Sequence, residues 1–168
     1  TRTSSSAASD VYKRQACHKA GIDIKKIKII DAGNGNQMDT AFREGEGQYI
    51  HQQGPAPQQL AADGVGHVLA QLGPTIGACG FSSLAATPAW LATDTARAFT
   101  RAYIKTRDYM NDASASEIAK AEKPLFPDID LEVLTDCIAT YQAMGCWTRH
   151  IDITQEGYDA MLDIFEYD

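Results

Sequence analysis

The sequence predicts an α/β fold: a parallel sheet flanked by helices, followed by a C-terminal helical portion. Three observations carry that expectation. Ile27-Lys-Ile-Ile30 is a short run rich in β-branched residues. From there to Leu72, predicted strands and helices alternate with short connections, the pattern of parallel strands joined by right-handed crossovers. From Thr95 onward the apolar residues recur at helical spacing instead.

Taken in order, Ala16–Ala20 predicts the tail of a helix, closed by Gly21 as C-cap. Ile22–Lys26 is a turn and Ile27–Ile30 the first strand. Asp31–Asn36 follows as a loop whose Asn and Gly residues suit capping and left-handed conformations. Asn36 then caps a helix running to Gly45, with Met38, Ala41 and Phe42 on one face. Gln48–His51 is the second strand. It must stop at Gly54-Pro-Ala-Pro57, because neither proline can donate to a sheet ladder. Proline is tolerated in a first helical turn, so Ala56–Ala62 forms the next helix, and Asp63-Gly64 ends it. Gly66–Leu72 is the third strand, and Ile76–Leu84 is extended.

Four helices follow, Thr95–Asn111, Ser114–Lys123, Leu131–Met144 with Asp130 as N-cap, and Thr154–Phe165. Their apolar stripes (Ala96, Phe99, Ala102, Tyr103 and Met110; Leu131, Leu134, Ile138 and Tyr141; Tyr158, Met161, Leu162 and Phe165) read as core faces.

Composition narrows the function classes. The net charge of −7 without a basic run argues against nucleic acid or an anionic membrane surface as main partner. No apolar stretch is long enough to cross a bilayer as a helix. Cys17, Cys79, Cys137 and Cys146 show no CxxC pair and read as buried free thiols. His18, His67 and His150 are scattered without metal-ligand spacing, so no metal and no cofactor are expected. Residues 1–15, rich in Ser and Ala, read as a non-native leader, the translation of a sequencing-library adapter.

In a parallel sheet the loops after the strands share one end and border a ligand crevice. That places Asp31–Asn36 and Gln52–Pro55 together. Asn34 and Asn36 sit either where helix N-terminal amides meet a polar or anionic ligand or in an ordinary capped turn. Gln52 and Gln53 carry amides that both donate and accept. Gly54 and Pro55 shape the turn, and His51 is either a wall residue or a ligand contact. Ser82 lacks the GxSxG elbow and has no His–Asp pair positioned with it, so it reads as a hydroxyl contact or hinge bond and not as a nucleophile. Gly77 and Gly80 permit a hinge. Trp147 reads as a packing anchor.

Several segments, in order, carry a family resemblance: Gly21-Ile-Asp with Ile27-Lys-Ile-Ile30, Ala41-Phe-Arg-Glu-Gly-Glu-Gly47, and Tyr49-Ile-His-Gln-Gln-Gly-Pro-Ala-Pro-Gln58. Phe81-Ser-Ser-Leu-Ala-Ala-Thr87, Ala98-Phe-Thr-Arg-Ala-Tyr103 and Tyr141-Gln-Ala-Met-Gly-Cys-Trp147 extend it. From Ala16 to Asp168 the chain resembles the C-terminal part of ABC-transporter substrate-binding proteins of the SsuA/THI5-like (NMT1-like) branch. The resemblance implies a type II periplasmic-binding fold, present in part. Residues 16–75 would be a second α/β lobe truncated at its start, and residues 76–168 the return crossing and the helices of a first lobe. It also implies exposed apolar helix faces where the remainder of that lobe would pack. The implied function is non-enzymatic capture of a small solute (a sulfonate, a nitrate-like anion or a thiamine-pyrimidine precursor) by hinge closure. The implied partner is a membrane permease and the implied place periplasmic or extracytoplasmic. The alternative within the branch is a thiamine-pyrimidine biosynthetic enzyme, but the cysteine-rich iron-binding motif of those synthases is missing here.

Overall fold

Capping residues set most of the element boundaries. The computed structural model describes residues 7–80 and 82–165, and every regular element among them is helical. The residues fall into two units, one up to Ala78 with the residues from Asp159 on, the other Cys79–Tyr158.

In the first unit lie α1 (Ala7–Lys19), α2 (Gly35–Arg43), α3 (Ala56–Ala62) and α4 (Gly73–Ile76). α1 runs through part of the segment read as a leader. It ends in a Schellman turn at Gly21 (φ +68°), where Ile22 N–H donates to Cys17 O at 2.8 Å and Gly21 N–H to His18 O at 3.0 Å. α1 packs on α4, and Lys19 Nζ donates to Ile76 O at 3.0 Å, satisfying a carbonyl at the end of that short helix. Among the described residues of this unit, Ala16, Leu60 and Ile164 are the buried apolar side chains. Gln15 and Gln58 are buried too, and each leaves its Oε1 without a hydrogen bond.

The second unit holds α5 (Pro88–Leu91), α6 (Asp94–Asp112), α7 (Ala115–Glu122) and α8 (Leu131–Ala143). Thr87 and Thr93 cap α5 and α6 through their hydroxyls. Ser114 and Glu117 form a capping box at α7, with Ser114 Oγ accepting from Glu117 N–H at 3.3 Å and Glu117 Oε2 accepting from Ser114 N–H at 2.9 Å. The core is the α7–α8 contact: Ile118, Ala119, Leu134 and Ile138 are buried together, with Met110, Ile129 and Trp147 packed around them. Ala119 has no side chain beyond Cβ, which lets the two helices approach closely. Gln142 Nε2 donates to both Met110 O (2.9 Å) and Ala113 O (3.0 Å), satisfying carbonyls at the C-terminal end of α6. Arg107 donates to Thr148 O at 2.8 Å, and Arg149 pairs with Asp108 and Asp112, pinning the segment after α8 to α6. The last helix, α9 (Gln155–Phe165), runs past the boundary between the units.

The parallel sheet, and with it the type II periplasmic-binding arrangement, is overturned: no residue described belongs to a strand or bridge. The segments read as strands, Ile27–Ile30, Gln48–His51 and Gly66–Leu72, have no ladder. Ile27 itself is extended (φ −96°, ψ 127°), yet Ile29, Tyr49 and Leu69 are 63%, 78% and 75% exposed. β-Branched composition favours a pleated, half-buried surface, but a strand forms only where a second strand pairs with it. Ile76–Leu84 is not extended throughout, since Ile76 closes α4.

Two of the apolar stripes are also corrected. On α6 only Ala96 is buried, and Phe99 is exposed, with its ring stacked on Tyr103 at 6.2 Å. On α9 the buried residue is Ile164, while Tyr158, Leu162 and Phe165 are exposed. α8 buries Leu134 and Ile138 as expected but adds Val133 and Cys137 and leaves Leu131 exposed. Trp147 does pack against the core, 5.8 Å from Tyr141 ring to ring.

The expectation of four buried thiols holds for Cys137 alone; Cys17 and Cys79 are half-buried and Cys146 is exposed. Burial, with smaller contributions from Asp136 and Glu122, pushes the Cys137 thiol up to about 11, so it stays protonated at neutral pH. Iodoacetamide at mildly alkaline pH is expected to modify Cys146 in the folded chain and Cys137 only on unfolding. Peptide mass spectrometry of a time course would show this, and early labelling of Cys137 would contradict the packing of α8.

Candidate ligand-binding site

The loop before α2 is closed by its own side chains. Asp31 Oδ1 accepts from Gly33 N–H at 3.2 Å. Asn34, not Asn36, is the N-cap: its Oδ1 accepts from Asn36 and Gln37 N–H, both at 3.1 Å. Gln37 Oε1 reaches back to accept from Asn34 N–H at 2.9 Å, completing a capping box. Gly33 has φ +101°, and a Cβ there would collide with Gln37 Oε1, so the loop needs glycine at that point.

Gln52 meets this loop. Its Nε2 donates to Gly35 O at 2.7 Å. The structure therefore brings Gln52 and the Asn34–Asn36 loop together without a sheet to do so. Gln53 is exposed, and its carbonyl accepts from Ala56 N–H at 3.2 Å at the start of α3; the Gly54–Pro55 peptide between them is cis. Asn36 is exposed, and its backbone is engaged: its N–H donates to Asn34 Oδ1 and its carbonyl accepts from Thr40 Oγ1. His51 is half-buried.

An open depression of about 390 Å³ runs along α2, lined by Ala32, Asn36, Gln37, Thr40, Ala41, Glu44 and Glu46. Its polar lining is two amides, a hydroxyl and two carboxylates, with no cation. Thr40 Oγ1 is turned inward, donating to Asn36 O at 3.0 Å. Arg43, the basic residue of α2, is held elsewhere: it reaches Asp39 at 2.7 Å and Asp63, at the end of α3, also at 2.7 Å. Gln59 Nε2 adds a bond to Asp63 Oδ1 at 2.8 Å. These hydrogen bonds, from Asp39 first and then Asp63, raise the Arg43 pKa, and the Arg43 bond holds the Asp63 carboxyl below its usual range.

Sequence reasoning missed this cross-link between α2 and α3. The Asp39–Arg43 spacing of four signals the helical pair, whereas Asp63 is twenty residues from Arg43 and no local pattern connects them.

Ser82 lies in the second unit and is exposed. The two residues read as a hinge fall on either side of the Ala78–Cys79 boundary. Gly77 has φ +94°, and Gly80 N–H donates to Gly157 O at 2.9 Å. A Cβ on Gly80 would lie 3.2 Å from Ile153 Cγ2, so the backbone approach there is close. Among the described residues no group of three or more His, Cys, Asp or Glu is arranged to hold a metal ion.

Acid stability follows from these contacts. Asp63, Asp112 (bonded by Arg149) and Glu117 (bonded by Ser114) titrate lower in the folded chain than when unfolded. Their contribution is complete above the ordinary carboxylate range, near pH 4. It is lost as pH falls through their folded values. Glu122, raised by burial, acts in the opposite sense, losing its contribution as pH rises through its folded value. The urea midpoint is expected to fall as pH is lowered from about 5 to 3, and less steeply in Asp63→Asn. An identical acid limb in that variant would show that the Arg43 contact does not act in solution.

Among known proteins, the chain is 31% identical over 146 residues to a protein of Bacillus subtilis (strain 168) named "Putative binding protein YtlA". The match takes in 86% of this chain and 43% of the relative, so the chain spans less than half of that protein's length. No family model and no solved structure matches. The chain is thus similar to part of a protein whose name is that of a binding protein and not of an enzyme.

Proposed function

We propose that the chain belongs to the solute-binding component of an ABC importer and takes a small polar solute beside α2. The observation that carries this reading is the docking of Gln52 on the capped loop, at 2.7 Å from Gly35 O, beside a depression that the exposed Asn36 lines. The similarity to a protein named as a binding protein supports the same direction. A membrane permease is then its partner and the extracytoplasmic side its place.

The lining also favours one solute class. A helix N-terminus binds an anion through free amides, but Gly33, Asn34, Asn36 and Gln37 N–H already donate to side-chain oxygens. The charges facing the depression are Glu44 and Glu46. A sulfonate or nitrate-like anion would meet like charge there. A thiamine-pyrimidine precursor, with amino groups that donate and ring nitrogens that accept, matches amides and carboxylates together.

Calorimetric titration with an aminopyrimidine, a sulfonate and nitrate tests this. Binding of the aminopyrimidine is expected, weakened about tenfold in Asn36→Ala, the effect of losing one hydrogen bond of about 1.4 kcal/mol. Asn36→Ala leaves the Asn34 cap in place, so the fold is kept. Preference for the anions, or unchanged affinity in the variant, would sink the reading.

A further inference from the structure

We draw no further inference here: the strongest candidate, the exposed apolar side chains of Ile29, Tyr49 and Leu69 on the irregular segments of the first unit, carries nothing because nothing in the structure shows what covers them.

Discussion

Ile118→Ala is expected to destabilise the second unit by about 2–5 kcal/mol, the range for removing a fully buried branched side chain and leaving a cavity. Ile118 is 1% exposed and Ala119 beside it 0%, and the cluster they form with Leu134 and Ile138 is the packed centre of the unit. So small a core has little to redistribute. Typical domains are stable by only about 5–15 kcal/mol, so the loss takes a large share. Trp147 packs on the same cluster, so its fluorescence reports the transition directly. Urea unfolding of Ile118→Ala is expected to show a clearly lowered midpoint. The control is Leu125→Ala, 77% exposed, which should stay within about 0.5 kcal/mol of the parent. Equal midpoints for the two variants would mean that α7 and α8 do not pack as described.

Lys123→Met is expected to cost about 1.5–3 kcal/mol, the worth of hydrogen bonding to a charged group. The ammonium of Lys123 gathers three carbonyls, Phe126 O at 3.3 Å, Pro127 O at 2.9 Å and Ile129 O at 2.6 Å. Apart from Ile129, which packs on the core, the connection between α7 and α8 has little else to fix it. Pro124 and Pro127 contribute no N–H, and the remaining backbone bonds run from Phe126 N to Lys123 O and from Ile129 N to Phe126 O. Methionine keeps the length and the apolar stem but donates nothing. Arginine keeps the charge, yet its planar fork cannot converge on three carbonyls as an ammonium does, so Lys123→Arg should recover only part of the loss. Limited proteolysis is expected to cut Lys123→Met between Phe126 and Asp130 faster than the parent. Resistance equal to the parent's would show that the connection is held by the helices alone.

The helices α2, α3 and α6 to α9 were legible because their ends are local, whereas the four-residue α4 and α5 and most of α1 were not foreseen. Ser114 and Glu117 are three residues apart, and Thr93 accepts from Ala96; such caps are complete within one turn of chain, whatever surrounds them. The prediction for α2 placed its cap two residues late, at Asn36. The local pattern does discriminate between the two asparagines: Asn34 has Gln37 at N3 to return the hydrogen bond, whereas Asn36 would have Asp39, which pairs with Arg43 instead.

The strands failed for the opposite reason. Ile27–Ile30 and Gly66–Leu72 have β-type composition, but a ladder is a relation between two segments, and no pairing segment is present among the described residues. The stripes on α6 and α9 failed likewise. Apolar spacing tells which face could be buried, while only packing decides whether another element covers it.

The candidate site divides along the same line. Asn, Gly and Gln at their positions determined that the loop before α2 would be capped and that the Gly54-Pro-Ala-Pro57 turn would start a helix. That Gln52 lands on Gly35, and that Arg43 is drawn to Asp63 and leaves the depression to Glu44 and Glu46, was decided by tertiary structure. Hydrogen bonds closed within four residues are written in the chain itself; those spanning seventeen or twenty residues exist only once the intervening helices have been placed.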